Sequence, residues 1–582
     1  MNFFSEEDIN TKYSFFTGKG GVGKTSIACS SAIRFSEKGE KVLLISTDPA
    51  SNLQDVFGME LNSSAKQSTR YPNLSLINLD PEVAAKEYKD SVILPYKGLL
   101  PEEALKNMEE QLSGSCTTEI AAFNEFSGIL TNKELSKKFD RIIFDTAPTG
   151  HTLRMLQLPS AWNSFIEENT HGASCLGQLS GLEDDKEKYA ESVSVLCDGD
   201  KTTLILVSRP DITPMAEAER ASQELREIGI DNQVLVINGV MESFDDEMSK
   251  TIFNNQQEVL NNLSDYLKKM RKYKVSLKSS SIYTSESLSK LFDEKDDILV
   301  EQSAELPVVS ELVDFVDHVI ESNKRIVFTM GKGGVGKTSI ASAIATEIAS
   351  RGLKVILTTT DPANHLKYVV EESDNLTIKE IDENKVLEKY KDEVIFEAKK
   401  TMGDNDLDYI EEDLRSPCTQ EIAVFKEFAE IVDLSDNEIV VIDTAPTGHT
   451  LLLLESTESY NKEVSRSSEV TQNAISRLLP KLKNPAITEV AIVSLAEATP
   501  YYEAERLEQD LMRAEIYTKW WLVNNSLAKY EELSTFLTSK KNNEINWINK
   551  IAENENRNVA VINWNRNGIN KNTLRELLKN EI

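Results

Sequence analysis

GKGGVGKTS occupies residues 18–26 and returns, unchanged, at residues 331–339. Each copy follows a short apolar run and precedes a stretch of helical periodicity, the setting in which a glycine-rich loop reads as a phosphate cradle. Four further segments repeat in the same order. STDPASNL at 46–53 is echoed by TTDPANHL at 359–366, and CTTEIAAFNEF at 116–126 by CTQEIAVFKEF at 418–428. DTAPTGHTL at 145–153 is identical at 443–451, and TPMAEAER at 213–220 becomes TPYYEAER at 499–506. The offset falls from 313 through 302 and 298 to 286. Such drift is what loop insertions and deletions leave between two copies of one domain.

Around these landmarks each copy alternates strand and helix. The apolar strand candidates are Tyr13–Phe16, Lys41–Ile45, Arg141–Phe144, Thr203–Val207 and Gln233–Ile237 in the first copy. Their counterparts are Arg325–Phe328, Lys354–Leu357, Glu438–Ile442, Glu489–Val493 and Trp520–Val523. Short continuous apolar runs separated by helical stretches predict a parallel sheet covered on both faces. The expected fold is therefore α/β, with two homologous phosphate-loop NTPase domains in tandem, each a mainly parallel sheet flanked by helices. We expect the first domain over 1–292, a linker with one amphipathic helix over 293–324, and the second domain over 325–582.

In each loop the glycines Gly18, Gly20, Gly21 and Gly23, and Gly331, Gly333, Gly334 and Gly336, let backbone N–H groups face a β-phosphate. Val22, Ser26, Val335 and Ser339 complete the loops. Lys24 and Lys337 are expected to reach the β- and γ-phosphates of ATP, and the hydroxyls of Thr25 and Thr338 to meet Mg²⁺. Asp145 and Asp443 each end an apolar strand, where a carboxylate can stand behind a magnesium ligand. A lone aspartate there is ordinarily a turn former; the duplicated phosphate loops favour the functional role.

Composition narrows the rest. The 582-residue chain is 40% hydrophobic and 27% charged, as in ordinary globular proteins. A net charge of −32 argues against a nucleic-acid footprint and against docking on anionic lipid. MNFFSEEDIN lacks the basic-then-apolar pattern of a secretory signal, and no run of eighteen apolar residues suggests a membrane span. We expect a cytoplasmic protein that reaches a membrane only through a partner. Five cysteines without a CxxC pair point to reduced thiols. Cys29 and Cys197 read as small packed residues. Cys116 and Cys418 belong to the repeat, whereas Cys175, in HGASC, has no counterpart. Three thiolates would suit a soft trivalent ion such as arsenite or antimonite, and a structural zinc would want a fourth ligand. Spacing alone leaves open whether the three meet or are merely buried.

The lysine directly after the first glycine of each loop, Lys19 or Lys332, gives the GKGGxGKT form and resembles the deviant phosphate-loop ATPases. That resemblance implies face-to-face pairing, with this lysine placing positive charge on the other half's nucleotide. It also implies that Asp48 and Asp361 orient the attacking water near Mg²⁺, and that Asn238 and Asn524 contact adenine. The whole chain resembles, more closely, the ATPase family of the bacterial arsenite efflux pump (ArsA). The residues that carry this are the paired loops, the paired DTAPTGHT segments, CTTEIAAF with HGASCLG, and SPCTQEIAVF. The resemblance implies As(III) or Sb(III) bound by Cys116, Cys175 and Cys418, with His151, Ser416 and His449 nearby. It further implies a single chain acting as its own pseudo-twofold pseudo-dimer, stationed at the inner face of the membrane beside a separate pump subunit. A metallochaperone could deliver the metalloid, while nucleic acid and direct membrane insertion are not expected. The alternative is a targeting ATPase for tail-anchored membrane proteins. Its usual CxxC site is absent here, and the stretches that should cradle an apolar segment, such as EEALKNMEEQL, are strongly charged.

Overall fold

The computed structural model describes residues 1–19, 21–47, 53–98, 101, 105, 112, 115–146, 186–280, 282–294, 305–360, 366–401, 414, 417–444, 478, 480–565, 571 and 573–578. Two compact units divide the chain, each built on its own sheet. The first unit contains β1 (Asn2–Phe3), β2 (Tyr13–Thr17), β3 (Val42–Ser46), β4 (Lys66–Gln67), β5 (Leu74–Asn78), β6 (Arg141–Asp145), β7 (Thr202–Ser208), β8 (Gln233–Val240) and β9 (Arg271–Ser276). The second contains β10 (Ile326–Met330), β11 (Val355–Thr359), β12 (Leu376–Glu380), β13 (Ile439–Asp443), β14 (Thr488–Leu495), β15 (Trp520–Ser526) and β16 (Asn558–Asn563).

The sheet orders are β1-β9-β8-β7-β2-β6-β3-β5-β4 and β12-β11-β13-β10-β14-β15-β16. Read from opposite ends, the seven strands β9 to β5 and β16 to β12 follow one order, so the two units share a topology. Pairing is parallel throughout except where β4 runs antiparallel to β5. All ten strand candidates form strands, and in each unit they are the five central neighbours.

Alternation along the central strands shows why continuous apolar runs were needed. Val327 packs into one core with Ile340, Ile344 and Ile348 of the helix Lys337–Ser350. Ile326, Phe328 and Met330 pack into another, with Phe425, Phe428 and Val432 of the helix Pro417–Asp433. Both faces of the sheet are thus dry, and a polar side chain on either would cost a desolvation penalty. The helix Leu312–Glu321 lays Leu312, Phe315, Val316 and Val319 into the first of these cores.

The cysteine-bearing repeats are the opening turns of two helices of 17 residues each, Ser115–Thr131 and Pro417–Asp433. Their shared phenylalanines are core residues: Phe123 and Phe126 are buried in one, Phe425 and Phe428 in the other. Phe126 meets Phe15 of β2 and Phe144 of β6 edge-on, with ring centroids 5.8 and 5.3 Å apart. Packing therefore accounts for the phenylalanines of the repeated motif, whose cysteine is the second residue of each helix.

Candidate functional site

Each phosphate loop leaves the carboxyl end of a central strand, β2 or β10, and enters a helix, Lys24–Glu37 or Lys337–Ser350. This is where parallel α/β sheets present helix N-termini and bind ligands. The last loop glycine caps each helix in the left-handed region, Gly23 at φ +89° and Gly336 at φ +93°. A Cβ there would also collide with the side-chain amide of Asn238 or Asn524. Those amides are engaged with the loop itself: Asn238 Nδ2 donates to Val22 O and Asn524 Nδ2 to Val335 O, both at 2.9 Å. Val22 and Val335 are 2% exposed and anchor the loops in the cores below. Gly336→Ala is expected to destabilise the chain by about 1–2 kcal/mol from backbone strain alone. A thermal melt unchanged from wild type would contradict this geometry.

Beneath the first loop, Lys24 is 8% exposed and its Nζ lies 3.0 Å from Oδ1 of Asp145, which is fully buried at the end of β6. Lys24 also donates to the carbonyl of Thr146. Thr25 Oγ1 donates to the other carboxylate oxygen, Asp145 Oδ2, at 2.8 Å. Thr146 Oγ1 donates to Phe16 O at 2.8 Å and fixes the exit of β6 to β2. The second unit repeats the pattern. Thr338 Oγ1 donates to Asp443 Oδ2 at 2.6 Å, Thr359 Oγ1 reaches the same oxygen at 3.3 Å, and Thr444 Oγ1 donates to Thr329 O at 2.9 Å. Lys337, 7% exposed, donates to Lys332 O at 2.9 Å.

The lysines after the first glycines have partners that the sequence did not suggest. Lys19 Nζ lies 3.7 Å from Glu217 Oε2, and Lys332 is ion-paired with Glu503. Both glutamates are buried, and both are the first glutamate of the repeated TPMAEAER and TPYYEAER motifs. Their recurrence at a fixed place in two copies was the signal available. Cys29 is buried within its helix, and burial with the nearby Asp145 charge pushes its thiol well above the usual range. Cys197 is half-buried against Ile228 O. Both suit packing roles.

The structure thus brings Lys24, Thr25 and Asp145 together in one unit, and Thr338 and Asp443 in the other. Gly20, Asp48, Asp361, His151, Cys175, Ser416 and His449 lie outside the described residues. Cys116 and Cys418 are each the second residue of their helices. The oxygen-only donors at the strand ends fit a hard cation such as Mg²⁺.

A family profile described as anion-transporting ATPase matches residues 11–294, 324–480 and 467–566. The chain is 42% identical over 557 residues to the arsenical pump-driving ATPase of Acidiphilium multivorum, covering 94% of this chain and 95% of that protein. It is 44% identical over 522 residues to an arsenical pump-driving ATPase of Escherichia coli, covering 88% and 89%.

Proposed function

The chain belongs to the anion-transporting ATPase family, and from that premise we propose that its ATP hydrolysis is stimulated by arsenite or antimonite and drives their efflux through a separate membrane pump. It is an ATP hydrolase of arsenic-related function. What carries the finer reading is the pairing of two loop–aspartate–threonine constellations with relatives, named for driving an arsenical pump, that align along nearly the whole chain.

In this reading the loop N–H groups with Lys24 and Lys337 hold the phosphates, and Asn238 and Asn524 lie beside adenine. Thr25 and Thr338 hold Mg²⁺, with Asp145, Asp443, Asp48 and Asp361 as accompanying carboxylates. When bound, the ion neutralises charge on the β- and γ-phosphate oxygens. Asp48 and Asp361 orient the attacking water. Lys19 and Lys332 exchange their glutamates for the opposite half's nucleotide, adding positive charge where the transition state develops negative charge. Cys116, Cys175 and Cys418 take the trivalent metalloid as thiolates, with His151, Ser416 and His449 alongside. No helix among the described residues is long and apolar enough to cross a membrane; in this reading the translocating path belongs to the partner pump, beside which the ATPase works at the inner face of the membrane.

The test is ATP turnover measured alone and with arsenite, antimonite, zinc or copper(I). Acceleration by the two metalloids only is expected. Equal acceleration by zinc or copper(I), or none by any, overturns the metalloid assignment while leaving the ATPase intact.

A further inference from the structure

The two units differ at a matching position behind the strand end that holds the phosphate loop, half-buried Gln256 in the first and buried Glu544 in the second. At the carboxyl end of β8 the chain passes from Asn238 through left-handed Gly239, φ +76°, to Met241. Gln256, on the helix Glu247–Asn261, clamps this turn from both sides. Its Oε1 accepts from Met241 N at 2.8 Å, and its Nε2 donates to Gly239 O at 3.0 Å. At the end of β15 the equivalent path runs from Asn524 through left-handed Asn525, φ +58°, to Leu527. The clamp there is Glu544, on the helix Thr535–Ala552. Its Oε2 accepts from Leu527 N at 2.6 Å and from Ser526 Oγ at 3.0 Å.

The surroundings match in both units. Leu277 N donates to Val240 O at 2.8 Å, and Trp564 N to Ser526 O at 3.0 Å, so each turn is tied to the next strand's exit. A neutral amide in one copy is therefore an acid in the other. We propose that Gln256 and Glu544 are positioning residues for the adenine side of the two nucleotide sites, and that the second site alone is set by a proton. This rests on the reading of Asn238 and Asn524 as adenine contacts.

The chemistry follows from donors and acceptors. Gln256 always offers an N–H and spends it on the turn carbonyl. Ionised Glu544 is acceptor-only, while its protonated form regains one donor and can imitate the amide. Glu544 is 4% exposed, and burial pushes its carboxyl up to about 7, against the opposing pull of Lys540, Leu527 N–H and Ser526. Among the described residues, the charged groups that act on it are Lys540 and Glu497. Lys540 Nζ, on the same helix, is 3.9 Å from Oε1 and is shared with Glu497 at 3.1 Å, at the start of the helix Ala498–Arg513. Glu497 favours the proton and Lys540 opposes it. With a folded value above the unfolded one, the native state holds this proton more tightly. Its stabilising contribution is present at low pH and is lost as pH rises from the ordinary glutamate range toward 7.

The experiment is calorimetric titration of the full chain with Mg²⁺ and a non-hydrolysable ATP analogue, from about one pH unit below the Glu544 value to about one above. In wild type the two site affinities should diverge with rising pH, the second weakening by roughly three- to tenfold relative to the first. Glu544→Gln should keep the two parallel, and Gln256→Glu should make both fall. Titration of the nucleotide itself is common to all three proteins and cancels. Parallel wild-type affinities, or divergence that survives Glu544→Gln, overturns the proposal. Separately, analogue affinities unaffected by Asn238→Ala and Asn524→Ala would overturn the adenine assignment on which it rests.

Discussion

Lys24→Ala and Lys337→Ala will each lower ATP turnover by roughly 100-fold or more, the scale at which removing one preorganised electrostatic contact acts on a transition state. For Lys24 a second consequence can be read from the ion pair. Asp145 is fully buried, and its Oδ1 sits 3.0 Å from the lysine nitrogen. Truncating the lysine leaves a carboxylate buried without that cation, which costs about 3–5 kcal/mol. Lys24→Ala should therefore melt well below wild type even before nucleotide is added, and Lys24→Ala with Asp145→Asn should recover part of that loss. The double variant should not restore turnover. A single variant that keeps wild-type melting would show that the pair contributes little, and one that keeps wild-type turnover would remove Lys24 from the phosphate site.

Cys116→Ser and Cys418→Ser carry the next largest effect, on stimulation and not on basal hydrolysis. A hydroxyl is nearly the size of a thiol but lacks the soft sulfur that a trivalent metalloid prefers. Both residues open helices that Phe123, Phe126, Phe425 and Phe428 fix in the cores, so the substitutions should leave the fold alone. Arsenite should then give no acceleration over basal turnover in either variant or in Cys175→Ser. Stimulation unchanged in Cys175→Ser would reduce the site to two thiols; unchanged stimulation in all three would place the metalloid elsewhere.

The sequence spoke most clearly where both faces of a strand are buried. β8, β7, β2, β6 and β3, with their counterparts, are short continuous apolar runs legible in the sequence, whereas their outer neighbours are not. The edge strand β12 reads LTIKE, and β9, with only the two-residue β1 beyond it, reads RKYKVS; the charged residues blur any apolar pattern. The loop lysine, threonine and strand-end aspartate were legible because motif spacing places them on adjoining strand exits. Glu217 and Glu503 were not, since the pairing with Lys19 and Lys332 joins residues about 200 and 170 apart that only the folded sheet brings together. The engagement of Asn238 and Asn524 with Val22 and Val335 was likewise invisible, being a contact to backbone.

The ring of Phe126 touches Phe144, the residue immediately before Asp145. Cys116 stands ten residues earlier on the same helix, about 15 Å along its axis. One helix thus carries Cys116 in its first turn and, about three turns on, rests through the ring of Phe126 on the strand that ends in Asp145. Phe126→Leu would thin that support while leaving both Cys116 and Asp145 in the chain.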